Sequence, residues 1–443
     1  MRSPRTRSPW IWLLDKEWRE LMASRAFWVM LLLTGPLVGV SFIGAVNTYA
    51  DLSGQNGASA GVGEAFSPLI GIWAPTFSAF EIVAAFLLPF VAIRLVAADG
   101  QTGALKLEMQ QPMSSRVRLA AKAAVLFGGW LLASSAALAA VGLWMSYGGH
   151  VHGPELAAVA LGHFLNAGLT IALAAAAASI AEHPATAAIL TLAFTVGTWV
   201  VSFVAAIHGG VWERLAGYTP PVMVAAFQHG LVRGDVVIIS ACFVGAGFGW
   251  ASVWMEIGRS VGQRVARSVG VSCVTAAIVC AAVFVRSNWD LSENRYNSFS
   301  EAEEQALRRI DTPLRIQIHL APEDPRRSDL ERNSLSKLRR ILPNLRTEYV
   351  STTSTGLFEQ TTDHYGELWY DLGGAEVKNR ETTAEGVLET IFGLAGVTPE
   401  GETGPVFRGH PLVSSPNGAA AFFYIGWPAL VACAAFLVFR RPS

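Results

Sequence analysis

The sequence predicts an α-helical polytopic membrane protein of about eight transmembrane helices, with a small extracytoplasmic α/β domain before the last helix. Three observations carry this. Eight runs of about 20 apolar residues recur along the chain, and a helix of that length crosses a bilayer core about 30 Å thick. Charged residues make up only 15% of the 443 positions and hydrophobic ones 52%, where soluble domains carry about 25% charged residues. The third is a split: residues before about 285 are nearly all apolar, whereas 286–418 are rich in Arg, Glu and Asp.

The apolar runs are 27–46, 77–96, 119–146, 156–181, 186–207, 235–255, 268–286 and 419–439. Eight such runs exceed what a soluble core of this size could cover. The third and fourth are rich in Ala, and small residues let helices approach closely where no hydrophobic effect draws them together. The chain therefore divides into an interfacial segment (1–26), a seven-helix membrane domain (27–286), an outer domain with its linker (287–418), and a last helix with its tail (419–443).

Lys and Arg in short loops set orientation. Six precede the first run, none lies in 47–76 or 147–155, and Lys106, Arg116 and Arg118 lie in 97–118. Arg259, Arg264 and Arg267 lie in 256–267, and Arg440-Arg441 near the end. Both termini are thus expected in the cytoplasm and 287–418 outside. Two loops fit less well: 182–185 has no basic residue, and 208–234 carries Arg214 and Arg233. The N-terminus does not read as a cleavable signal, because Asp15, Lys16, Glu17, Arg19 and Glu20 occupy the place of an apolar core.

Residues 9–25 interleave Trp10, Trp12, Leu13, Leu14, Trp18, Leu21 and Met22 with charges, the pattern of a helix lying in the interface plane. In the outer segment, Ser300-x-x-Glu303 forms a capping box opening a helix to about Arg309. Residues 314–320 (LRIQIHL) alternate as a strand. Residues 326–341 suit an amphipathic helix with Leu330, Leu335, Leu338 and Ile341 inward. Residues 345–351 and 366–372 read as strands, the second closed by Gly373-Gly374, and 382–395 as a helix. Residues 396–418, rich in Gly, Pro and Ser, read as a linker back to the membrane.

The chemistry is sparse. No G-x-x-x-x-G-K-[ST] occurs, so ATP binding by that route is excluded. Leu52-Ser53-Gly54-Gln55 is similar to part of the ATPase signature LSGGQ but falls in an expected outer loop without Walker partners. A net charge of −1 gives no reason to expect nucleic acid. The four cysteines, Cys242, Cys273, Cys280 and Cys433, form no CxxC pair and read as buried small hydrophobes. His150-Val151-His152 offers two imidazoles with no third ligand near in sequence, so no metal is assigned. Glu81, near the outer end of the second run, suits an interfacial position as well as a transport role. No catalytic and no cofactor-binding residue is assigned.

Residues 10–255 resemble type-2 ATP-binding-cassette (ABC) exporter permeases. The resemblance rests on Asp15-Lys16-Glu17-Trp18-Arg19-Glu20, then Asp99, Thr102-Gly103, Leu105, Pro112-Met113-Ser114-Ser115-Arg116 and Lys122, then Pro220-Pro221, Phe227 and Arg233-Gly234. The order Thr-Gly replaces the family's Gly-Thr, and Gly100 and Gln101 replace its usual charged residues. Residues 289–395 are similar to the extracytoplasmic auxiliary domain of gliding-motility (GldG-like) ABC proteins. That similarity rests on Trp289-Asp290-Leu291-Ser292-Glu293-Asn294-Arg295-Tyr296, Ser298, Ser300 and Asp311-Thr312-Pro313-Leu314-Arg315-Ile316.

The resemblance implies a multi-pass protein of the cell (inner or plasma) membrane. It implies a separate ABC ATPase subunit carrying ATP and Mg, and a second permease, a copy or a related chain. Its expected ATPase contacts are Lys16, Glu17, Arg19, Glu20, Asp99, Gln101, Thr102 and Gly103. It implies movement of a substrate outward or out of the bilayer. The other reading is a non-transporting interaction protein, in which the outer domain binds a partner and the ATPase drives mechanical signalling.

Overall fold

Apolar runs resolve as helices because a helix satisfies its own backbone polar groups. The computed structural model describes residues 9–56, 66–102, 113–208, 211–256, 258–321, 324–350, 364–400 and 407–440. Eight helices among them are long and apolar enough to cross a membrane: Arg25–Gly54, Leu69–Ala97, Ser115–Ser146, Gly153–Ile180, Pro184–Ala205, Gly234–Trp254, Val261–Ala282 and Ala419–Arg440. They are called the first to eighth spans below. The chain forms two compact units, Met1–Thr198 with Met223–Trp289 and Arg408–Ser443, and Trp199–Val222 with Asp290–Phe407.

In the first unit the fourth span packs against the second and sixth, and the second against the first. The eighth span lies along the first. Its seat is Gly35-x-x-x-Gly39, where a Cβ would stand 2.1 Å from the Trp427 ring and 2.4 Å from Phe423 Cβ. Small residues four apart let another helix close in on one face. Trp427 Nε1 then donates to the Leu31 carbonyl at 2.7 Å.

The first helix continues to Asn56, so Leu52, Ser53 and Gly54 are helical and not part of an outer loop. Ser53 Oγ accepts from Leu412 N–H at 3.0 Å. Residues 408–418 are likewise more than a linker. His410 N–H donates to the Phe66 carbonyl (2.9 Å), the Tyr49 hydroxyl reaches the His410 carbonyl (2.6 Å), and the Tyr147 hydroxyl donates to the Asn417 carbonyl (2.9 Å). The cysteines depart from expectation: Cys242 is half-buried and Cys273, Cys280 and Cys433 are exposed. The last three lie on helices that bury little of themselves.

Two short strands, β1 (Leu231–Arg233) and β2 (Asn288–Asp290), flank the sixth and seventh spans in sequence. The second unit carries a mixed sheet of β3 (Leu314–Ile318), β4 (Arg346–Tyr349), β5 (Leu368–Leu372) and β6 (Ala375–Asn379), in the order β4-β3-β5-β6. β3 and β4 are parallel, and the other neighbours antiparallel. The register puts Leu314, Ile316 and Ile318 opposite Leu372, Tyr370 and Leu368. All six turn to one face and are buried with Leu330, Leu335, Leu338, Val387 and Ile391 from the helices.

The capping box at Ser300 forms as expected and starts Glu301–Arg308. The 326–341 segment is helical with a wide turn at Glu331–Leu335. β6 was not expected. Gly373 and Gly374, at φ +62° and +93°, make a two-residue hairpin turn instead of an end. The strand beyond them is an exposed edge.

Asp290 organises the entry to this unit. Its carboxylate accepts from Ser292 N–H (3.1 Å), Asn297 N–H (2.9 Å) and Ser298 Oγ (2.8 Å), and also from the Ser292 hydroxyl and Asn297 Nδ2. One residue thus holds the whole 290–298 turn, including Arg295 at φ +51°.

Candidate coupling site

Pro9–Met22 is the expected amphipathic helix. Residues 13, 17 and 21, spaced by four, share one face. Leu13, Glu17 and Leu21 are all fully buried there, while Trp10, Ile11, Trp12 and Trp18 are exposed. A carboxylate therefore stands in the middle of an apolar stripe. Burying a charge is costly unless it is paired and hydrogen-bonded.

Glu17 meets both conditions. Lys122, on the third span, places Nζ 2.8 Å from Glu17 Oε2 and also donates to the Leu95 carbonyl at 2.9 Å. Lys16 Nζ lies 3.2 Å from Glu17 Oε1 and 3.4 Å from Glu20 Oε1. Three elements thus meet at one ammonium: the amphipathic helix, the end of the second span, and the start of the third.

The third span is shaped for this junction. Ser114 caps its start by accepting from Val117 N–H. Arg118 and Lys122, one turn apart, are both buried. Two turns on, a Cβ at Gly128 would come within 2.9 Å of the Trp18 ring, and one at Gly129 within 3.0 Å of Leu21. Absence of side chains there lets the amphipathic helix lie against the span. Its other end is fixed by Trp28 Nε1, which donates to the Met22 carbonyl at 2.7 Å.

The loop between the sixth and seventh spans closes at the same end of this unit, where Ser115 Oγ donates to the Ser252 carbonyl at 3.4 Å. There Glu256 takes Arg259 at 2.6 Å and Arg267 at 2.9 Å, and Arg264 donates to the Glu256 carbonyl at 3.0 Å. The hydrogen bond from Arg259 holds the Glu256 carboxyl below its ordinary value, helped by the charges of Arg259, Arg267 and Arg116.

The expected contact residues separate into two groups. Glu17 meets Lys122, and Lys16 bridges Glu17 and Glu20. Arg19 turns outward, 76% exposed, and pairs with Asp15 at 2.8 Å. Glu17 is therefore an interior residue of this unit. Asp99, Gln101 and Thr102 occupy the last helical turn of Ala74–Thr102, the turn that follows Leu95, and Gly103 lies outside the described residues. The residues missed as a set are Leu95, whose carbonyl has no sequence signature, and Arg118. The available signal was Arg118-x-x-x-Lys122 at the mouth of an apolar run, facing a lone Glu in an apolar stripe.

Away from this end, Ser78 Oγ donates to Gln228 Oε1 at 3.1 Å, and Gln228 Nε2 lies 3.2 Å from His163 Nε2. Glu81, one turn after Ser78, is half-buried and makes no ion pair among the described residues. Compared with known proteins, the chain matches no family model, no curated protein and no solved structure.

Proposed function

We propose that this chain is the membrane-spanning permease subunit of an ABC exporter. It sits in the cell membrane with both termini cytoplasmic and 287–418 outside. It works with a separate ATPase dimer, which holds ATP and Mg, and with a second permease. The observation that carries the reading is the junction of Glu17, Lys122 and the Leu95 carbonyl. The amphipathic helix and the end of the second span, at Leu95 just before Asp99, meet at one buried ammonium.

The geometry suits transmission of force. A partner pressing on the exposed face of the amphipathic helix meets Arg19 and Asp15. The helix cannot yield alone, because Glu17 ties it to the third span and, through Lys122, to the second. Displacement passes into the spans, whose rearrangement moves a substrate outward or out of the bilayer.

A tagged pull-down from detergent-solubilised membranes, followed by an ATPase assay, tests the reading. The expected result is a Walker-containing subunit with vanadate-sensitive activity, lost when 99–103 is replaced by a Gly-Ser run that leaves membrane insertion intact. A clean preparation with no ATPase overturns it and moves attention to the outer unit as a ligand-binding module.

A further inference from the structure

The strand β6 ends the sheet of the second unit. Among the described residues it has one neighbour, β5, and the five-residue register between them is unbroken. Residues 375–378 are exposed, and Val377 is 40% exposed. No Pro interrupts the strand, so each residue brings both an N–H and a C=O. An edge of this kind is a template for a further strand.

The phase of the ladder decides which groups are free. In an antiparallel pair, residues that exchange both backbone bonds alternate with residues that exchange none. On the far side of β5, His319 N–H donates to the Glu367 carbonyl at 3.0 Å, so Glu367, Trp369 and Asp371 turn their backbone groups toward β3. Leu368, Tyr370 and Leu372 are left to bond Asn379, Val377 and Ala375. Glu376 and Lys378 therefore point their N–H and C=O to the open edge. Their side chains share one face, the face on which Lys378 Nζ lies 3.7 Å from the Trp369 ring centroid.

We infer that this edge pairs with the same edge of a second copy of the chain, antiparallel about a two-fold axis at Val377. The charges select that register. Centred on Val377, open backbone groups meet open backbone groups, and Glu376 of each copy faces Lys378 of the other. A slip of two residues would set Glu376 against Glu376, or Lys378 against Lys378. Opposite charges directly across strands are favourable and like charges unfavourable. A strand of another protein would gain the same backbone bonds, but the charges of this edge suit its own reversed sequence. The contact is isologous, so it closes at two copies. It would join the sheets into one of eight strands, four from each copy. The inference stands on this edge alone and not on the ATPase reading.

The test uses the full chain in detergent, with its four native cysteines replaced by Ala. In the inferred register the two Val377 residues meet at a non-hydrogen-bonded position, Cα to Cα about 4.5 Å, within disulfide reach. Ala375 stands about 13 Å from its own counterpart and faces Asn379. Val377→Cys is expected to form a covalent dimer on oxidation with Cu2+-phenanthroline. Ala375→Cys alone should not, whereas Ala375→Cys mixed with Asn379→Cys should. Adding Glu376→Lys to the Val377→Cys chain should slow cross-linking about tenfold, since two opposite-charge pairs become like-charge ones. Mixing that chain with one carrying Val377→Cys and Lys378→Glu should restore it. The substituted residues lie outside the buried core, so the fold is retained. Equal cross-linking by Val377→Cys and Ala375→Cys overturns the pairing, as does cross-linking that Glu376→Lys leaves unchanged. No covalent dimer from Val377→Cys also overturns it, and leaves the edge to a strand of another protein.

Discussion

Lys122 Nζ stands 2.8 Å from Glu17 Oε2 with both side chains shut away from solvent, 105 positions apart in sequence. The pair joins the amphipathic helix Pro9–Met22 to the long apolar helix Ser115–Ser146. Removing Glu17 leaves the Lys122 ammonium buried without its carboxylate, removing Lys122 leaves the buried Glu17 carboxylate with Lys16 alone, and removing both leaves an apolar seam.

Lys122→Met and Glu17→Leu are therefore each expected to destabilise the first unit by about 3–5 kcal/mol. The double variant should recover most of that loss. Thermal unfolding in detergent, followed by tryptophan fluorescence, reads the difference. Additive losses in the double variant would mean that the two groups do not compensate each other.

Glu256 gives a pH dependence of defined sign. Its carboxyl is held low by Arg259, so its contribution to stability is complete above the ordinary glutamate value, about 4.3. The contribution is lost as pH falls from there through the group's own lower value. The Tm gap between wild type and Glu256→Gln should be flat from neutral pH to about 5, then close in more acid. High salt should narrow the gap at neutral pH, since these charges are exposed and screened.

Gly39→Ala should loosen the eighth span, because the new Cβ would meet Phe423 at 2.4 Å. Overpacking of this kind costs about 1–3 kcal/mol. Gly44→Ala on the same helix has open space and should be neutral or stabilising. Tm measured on both variants separates crowding from a general intolerance of the helix.

Asp290→Ala should open the 290–298 turn, since two backbone N–H groups and two hydroxyls lose their acceptor. Limited proteolysis is expected to cut there in the variant and not in wild type. Asp290→Asn, which keeps an acceptor oxygen, should fall between the two.

Much of this architecture is legible from residue pattern alone. Each of the eight apolar runs became a helix, and Ser300 with Glu303 made its cap, because length, apolarity and capping are local properties. What was not legible depends on distant partners. Glu17 looked like a surface charge because its partner lies on another helix, and Lys122 ended a motif with no stated role. Gly373-Gly374 was read as a stop because the following strand, Ala375–Asn379, is short and exposed, with only Ala375 and Val377 apolar. His410 gave no sign of meeting His150.

The seat of Trp427 and Phe423 on Gly35 and Gly39 has a consequence for biogenesis. The Trp427 hydrogen bond to Leu31 spans 396 positions and the Tyr49 bond to His410 spans 361. The first span is therefore finished by a helix made hundreds of residues later, the eighth. Until the eighth span is made, the glycine face at Gly35 and Gly39 has no mate.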